Sequence, residues 1–145
     1  MTGHDDLGEV TIGTYWQRST LNRARSAYVV DLDHLDDPPT GLTRWIERAI
    51  VRHTARGADR RAALAQALAP EDKSAGRVNK QLRLEGGTVA AAEAALVDDR
   101  RECGRIASLS GYISEAVRIA ANEAEERYGR PLPPAPGRLP NSPSR

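Results

Sequence analysis

The chain has 145 residues, 39% of them apolar and none of them Phe, so it can fill one modest core and little more. Its 21 basic and 20 acidic residues nearly cancel, which excludes a generic polycation and leaves any contact with nucleic acid to local clustering. Cys103 is the single cysteine, which excludes an intrachain disulfide and argues against a cysteine-based zinc site.

No apolar run approaches the roughly 20 residues of a membrane span, and Met1 to Glu9 is acidic, without a basic-then-apolar leader pattern. A cytoplasmic protein that binds no membrane is expected. Met1 to Ala27 mixes Gly, Thr, Ser and charges without sustained periodicity and reads as a flexible arm, whose second half carries Arg18, Arg23 and Arg25. Tyr28–Leu32 reads as a short strand or extended segment, and Asp37-Pro38-Pro39-Thr40-Gly41 as a break.

From Leu42 the residues Leu42, Trp45, Ile46, Ala49, Ile50 and His53 recur at spacings of three and four, which predicts a helix with one buried stripe, ended by Gly57. On the same helix Arg44, Arg48, Arg52 and Arg56 follow at steps of four, and Arg60 continues the series. Like charges at that spacing repel by a few tenths of a kcal/mol per pair (~0.2–0.5) unless an anion lies nearby, and DNA phosphate is one such anion. An equally simple reading is a solvated face partly neutralised by Glu47 and Asp59. Ala58–Ala69 reads as a second, Ala-rich helix anchored by Leu64 and Leu68, and Pro70–Gly76 as a linker.

Between Val78 and Leu84 the apolar Val78, Leu82 and Leu84 alternate with Arg77, Asn79, Gln81 and Arg83, the period of a strand. Lys80 interrupts the alternation and is expected to snorkel to the strand edge, within reach of phosphate. Next, Val89, Ala92, Leu96, Cys103 and Ile106 form one helical stripe, interrupted at Asp99 and Arg100, and Gly104 supplies a turn. Ser108 is the expected N-cap of a last helix whose stripe runs through Tyr112, Ile113, Ala116, Val117, Ala120, Ala124 and Tyr128 to Gly129. At its start, Ser108, Ser110 and Gly111 leave backbone N–H groups open to a phosphate; ordinary capping explains the same residues. From Pro131 the Pro-rich tail is expected to be disordered.

A strand followed by two helices is the order of a ribbon-helix-helix DNA-binding domain, in which one strand from each of two subunits pairs antiparallel and enters the major groove. The fold expected is therefore mainly α: a ribbon-helix-helix homodimer with one short strand and two helices per subunit, preceded by a helical region and a flexible arm. The divisions are arm 1–27, helical region 28–73, DNA-binding domain 74–130 and tail 131–145. Arg77, Asn79, Gln81 and Arg83 then read bases, since Arg matches guanine O6 and N7 and Asn or Gln matches adenine N6 and N7. Lys80, Ser108, Ser110, Gly111, Arg44, Arg48 and Arg52 are the expected phosphate contacts. A rival reading is a helix-turn-helix with Arg61–Leu68 as the positioning helix and Ala75–Leu84 as the recognition helix, because Val78 and Leu82 also share a helical face.

The acidic run Asp31, Asp33, His34, Asp36 and Asp37 raises metal-dependent catalysis as another class. On an extended strand His34 points away from Asp31 and Asp33, and the other histidines, His4 and His53, are scattered. No enzyme, metal or cofactor is expected. A protein-only adaptor built on the amphipathic helices is the remaining alternative.

Ser108-Leu109-Ser110, the helix running to Tyr128-Gly129, and Arg130-Pro131-Leu132-Pro133-Pro134-Ala135-Pro136-Gly137-Arg138-Leu139-Pro140 resemble the carboxy-terminal end of the actinobacterial centromere-binding ParB proteins of plasmid partition. With the strand at Val78, the resemblance spans about the last 70 residues. It implies a ribbon-helix-helix dimer reading repeated DNA sites together with a ParA-type ATPase, with Arg18, Arg23 and Arg25 of the arm as the ATPase contacts. A ribbon-helix-helix repressor or antitoxin is the alternative function.

Overall fold

Val10, Ile12, Thr14 and Trp16 turn inward while Glu9, Thr11, Gly13 and Tyr15 stay exposed, and this alternation makes Glu9–Gln17 a strand, β1. The computed structural model describes residues 8–143. The first seven residues of the expected arm, His4 among them, and the last two residues of the tail lie outside the described residues. After β1 come α1 (Arg18–His34), α2 (Leu42–Thr54), α3 (Ala58–Gln66), β2 (Arg77–Glu85), α4 (Gly86–Cys103) and α5 (Leu109–Tyr128). Among the described residues the protein is thus mainly α, with five helices and a two-stranded antiparallel sheet. None of these helices is long and apolar enough to cross a membrane.

β1 and β2 pair along their whole length, from Glu9 opposite Glu85, through Gly13 opposite Gln81, to Gln17 opposite Arg77. The partner strand expected from a second subunit is supplied by the same chain. Residues 9–27, expected as a flexible arm, form β1 and the first half of α1, and Tyr28–Leu32, expected as extended, continues that helix. The Thr- and Gly-containing stretch reads as loop only until its inward positions are seen to bury against helices. The helix-turn-helix reading falls as well, because Arg77–Glu85 is a strand and not a recognition helix.

The elements repeat. β1, α1 and α2 recur in order as β2, α4 and α5, and the two strands carry nearly the same sequence of exposed and buried positions. Gly8 and Gly76 each precede a strand in a positive-φ conformation that suits glycine, at 44° and 80°. Each then accepts a hydrogen bond from the first residue of the opposite unit's helix: Arg18 N–H donates to Gly76 O (2.9 Å) and Gly86 N–H to Gly8 O (2.7 Å). Buried Ala24, Ala27 and Asp31 of α1 correspond to buried Ala92, Ala95 and Asp99 of α4. Trp45, Ile46, Ala49 and Ile50 of α2 correspond to Tyr112, Ile113, Ala116 and Val117 of α5. The packing is crossed: α1 lies against α5, α4 against α2, and α2 against α5. The molecule therefore has a pseudo-two-fold axis through the middle of the ribbon, near Gly13 and Gln81.

One core fills the space beneath the ribbon. It contains Trp16, Leu82 and Leu84 from the strands, Tyr28 and Leu32 from α1, Trp45, Ile46 and Ile50 from α2, and Ile113 and Val117 from α5. Of the stripe expected on α4, Val89, Ala92 and Leu96 pack inward, whereas Ile106 beyond its end is 87% exposed and the inward face also takes in Ala95 and Asp99. Asp99 belongs inside because it meets Arg61 of α3 at 2.9 Å and Arg105 at 3.7 Å. Arg105 also bonds Glu115, whose other oxygen lies 2.7 Å from His53 Nε2. Arg56 can only donate, and it meets His53 Nδ1 at 2.8 Å, so Nδ1 accepts and Nε2 carries the proton given to Glu115. This chain of polar groups ties α2, α3, α4 and α5 together.

The tail from Pro131 is docked, contrary to the expectation of disorder. Arg25 donates to the carbonyls of Pro136 and Gly137 at 2.9 and 2.8 Å, and the Tyr28 hydroxyl donates to Pro140 O at 2.7 Å. Leu132 and Leu139 pack on the core. Hydrogen bonding from Arg23, and then from Leu132 N–H, holds the Glu125 carboxyl below its ordinary range. A depressed folded value means that this contribution is complete above the ordinary glutamate range and is lost as pH falls through the lowered value. Carboxyl-carbon NMR is expected to report a Glu125 midpoint below that of free glutamate, returning toward it in Arg23→Ala.

The buried pair gives a stability prediction. Arg61 and Asp99 side chains are only 3% and 4% exposed, so Arg61→Ala leaves a buried carboxylate with only the more distant Arg105 and is expected to cost about 3–5 kcal/mol in urea unfolding. A loss under about 1 kcal/mol would place the pair among ordinary surface contacts.

Candidate nucleic-acid interface

Because β2 alternates, Arg77, Asn79, Gln81 and Arg83 all project from the exposed face of the ribbon, away from the core. All four expected base-reading residues are therefore brought together on one surface. β1 adds Thr11, Gly13 and Tyr15, placed opposite Arg83, Gln81 and Asn79. Arg83 Nε donates to Glu9 Oε1 at 2.7 Å, and the Arg77 guanidinium stands 5.7 Å from the centre of the Tyr15 ring. Gly13 leaves space beside Gln81, since a Cβ there would meet only Gln81 Nε2, at 3.5 Å. Lys80 lies on the opposite face, half-buried, with its carbonyl accepting from the Thr14 hydroxyl at 2.7 Å.

The start of α5 stands at one end of this ribbon. The Ser108 side chain caps the helix by accepting from Gly111 N–H at 3.0 Å, and Ser110 Oγ accepts from Tyr15 N–H at 3.2 Å. A groove lined by Tyr15, Gln17, Arg77, Ser108, Ser110 and Gly111 runs between strand and helix. Its lining mixes hydroxyls and the Arg77 guanidinium, which suit a phosphate oxygen, with the carboxylate of Glu71, which does not. The start of α2 takes the equivalent place at the other end. There Gly41, at φ 100°, precedes the helix, and Arg44 reaches the carbonyl of Arg83 and the carboxylates of Glu47 and Glu9, the latter at 3.7 Å.

The Arg ladder divides along its length. Arg44 stands at the ribbon, whereas Arg48 bonds the Asp37 carbonyl at 2.7 Å, Arg52 meets Glu123 at 3.1 Å, and Arg56 meets Glu123 at 3.1 Å. Glu123 lies some 13 residues beyond Ser110, about 20 Å along α5 at the helical rise. Arg44, Arg48 and Arg52, all expected at phosphates, are each engaged by carboxylate or carbonyl groups of the chain itself, and what sets Arg44 apart is its place at the ribbon. Similarly, Arg18, Arg23 and Arg25, expected on a mobile arm, sit on α1. Arg18 bonds Ala75 O, Arg23 bonds Asn122 and Glu125, and Arg25 bonds the tail. Asp31, considered as a metal ligand, accepts from Trp45 Nε1 and Arg127 at 2.8 and 2.9 Å.

The contributions missed by sequence reasoning are Thr11, Gly13, Tyr15 and Glu9. The signal was present as an internal repeat: Ala24-x-x-Ala27-x-x-x-Asp31 against Ala92-x-x-Ala95-x-x-x-Asp99, then Trp45-Ile46 against Tyr112-Ile113. Aligning these places Glu9–Gln17 on Arg77–Glu85.

No family model, no curated protein and no solved structure matches the chain. The ladder geometry generates its own prediction. Arg48→Ala and Arg52→Ala, with side chains 52% and 56% exposed, are expected to change stability by less than about 1 kcal/mol each. They should also leave the salt dependence of any DNA binding unchanged, while Arg44→Ala lowers its slope by about one. A lowered slope in the Arg48 and Arg52 variants would assign the whole ladder to phosphate.

Proposed function

We propose that this protein is a sequence-specific double-stranded DNA-binding protein of the ribbon-helix-helix type that marks a plasmid partition site and works with a ParA-type ATPase. The observation that carries DNA binding is the exposed ribbon face, where Arg77, Asn79, Gln81 and Arg83 stand side by side next to the open start of α5. A two-stranded β-ribbon fits the major groove, and these four side chains have the donor and acceptor geometry of base edges. The helix starts at the two ends of the ribbon then hold the flanking phosphates. The partition role rests on the resemblance of Ser108–Pro140 to the centromere-binding proteins and on nothing further.

The test is binding of the purified chain to DNA from upstream of its own coding sequence, over a salt series with random competitor. Tight, competitor-resistant, salt-sensitive binding is expected; no binding at low salt overturns the reading. Arg83→Ala and Asn79→Ala are each expected to cost about 1–3 kcal/mol on the specific site and much less on random DNA. Equal losses on both would remove them from base reading. Stimulation of the ATPase encoded beside it supports partition, whereas a neighbouring toxin gene and no stimulation would favour the antitoxin alternative.

A further inference from the structure

We infer that a single chain is the complete reading head and that its target is an asymmetric, non-palindromic duplex; this deepens the DNA-binding reading above and rests on it. The ribbon's two strands belong to one chain, and both helix starts that flank it come from that chain too. A reader made of two identical subunits presents the same side chains to both half-sites, so its target mirrors its symmetry. Here the axis near Gly13 and Gln81 relates backbones and several buried side chains but not the exposed side chains of the ribbon.

The two halves of the ribbon are chemically different. On one side Thr11 stands opposite Arg83, with Glu9 on the guanidinium and Arg44 at the flanking helix start. On the other side Tyr15 stands opposite Asn79, with Arg77 over the ring and the hydroxyls of Ser108 and Ser110 at the helix start. The first half offers the Arg83 guanidinium to guanine and, to phosphate, Arg44, which also meets Glu47 and Glu9. The second offers the Asn79 amide to adenine, the Arg77 guanidinium to a further guanine, and the hydroxyls of Ser108 and Ser110 to phosphate. Gln81, opposite the side-chain-free Gly13, occupies the centre and suits a further A·T pair. Outward residues on a strand are about 7 Å apart, close to two base-pair steps of about 3.4 Å, so the span from Thr11 to Tyr15 covers about four base-pair steps. The expected core is therefore a short, directional sequence, with guanine at Arg83 on one side of a central A·T pair at Gln81, and an A·T pair at Asn79 followed by guanine at Arg77 on the other.

Selection of a random-sequence duplex library on the full-length protein, followed by native mass spectrometry of the chain on the selected duplex, tests this. The expected result is a motif without dyad symmetry, bound by one chain per duplex. Arg83→Ala should lose about 5- to 150-fold of base preference at one end only, and Asn79→Ala as much at the other end only. Both side chains are exposed, so unchanged circular dichroism is expected in each variant. A palindromic motif carrying two chains would overturn the inference and leave the DNA-binding reading standing. Relaxation at the same position in both variants would overturn the assignment of halves. No enriched sequence, with no retention of any duplex at low salt, would overturn the DNA-binding reading itself.

Discussion

Everything else in this fold depends on the pairing of β1 with β2. An isolated two-stranded ribbon is marginal in water, and this one persists because every second residue of each strand is pressed onto helices. Those helices are themselves arranged by the strands: α1 leaves the end of β1, α4 leaves the end of β2, and each crosses to pack on the other unit. The reciprocal bonds from Arg18 to Gly76 and from Gly86 to Gly8 fix both ends of the ribbon at once. A one-residue slip of β2 would turn Leu82 and Leu84 to solvent and bring Arg83 and Glu85 into the core. The hydrophobic demand of the core and the placement of the polar face are therefore one constraint.

Beneath the ribbon the two units are held by different chemistry. In the first, buried Asp31 accepts from Trp45 and Arg127, which ties α1 to α2 and to the far end of α5. In the second, buried Asp99 is held by Arg61, a residue of α3, the helix with no counterpart in the repeat. The corresponding acids thus sit at the same place in the fold and each meets an arginine at 2.9 Å, but from different elements and with different second partners, Trp45 for Asp31 and Arg105 for Asp99. That divergence extends to the surface, where one ribbon half is shaped by Glu9 and Arg44 and the other by Tyr15 and Arg77.

The second half of the chain was legible because its patterns were locally complete. Arg77–Glu85 alternates, Ser108 caps, Gly129 at φ 79° ends α5, and the α5 stripe follows from spacing alone. The first half was not, for a physical reason. Thr14 and Gly13 weaken the strand signal of β1, although Thr14 is buried through hydrogen bonds to Lys80 O and from Trp16 Nε1, both 2.7 Å. In the second half one residue misled: Asp99 looked like a break in a helical stripe, because a buried charge is predicted only by knowing its partner, and Arg61 is distant in sequence. The Arg ladder illustrates the converse: its spacing was read correctly on a helix, but Glu123, supplied by α5, decides what Arg52 and Arg56 do. Of the candidate site, the four residues of β2 were found because they share one strand, whereas the β1 residues opposite them were reachable only through the repeat.

Joining two units in one chain also changes the thermodynamics that the proposed function would obey. A reader assembled from two subunits loses translational and rotational freedom on pairing, a term of several kcal/mol (~4–15), and its occupancy of DNA then depends on protein concentration through the monomer–dimer equilibrium. When the partner strand is tethered, that association is intramolecular, and its cost becomes loop closure, which grows only slowly with the length of the connection. The long segment α1–α3 between the strands is consequently tolerable, and it is also the segment that fills the core and supplies Arg44 and Arg61. Tethering removes the requirement that both halves be identical, so each strand is free to diverge on its exposed face while the buried face stays constrained by the common core. Val10 and Val78 remain alike on the inner side, while Tyr15 and Arg83 differ completely on the outer one.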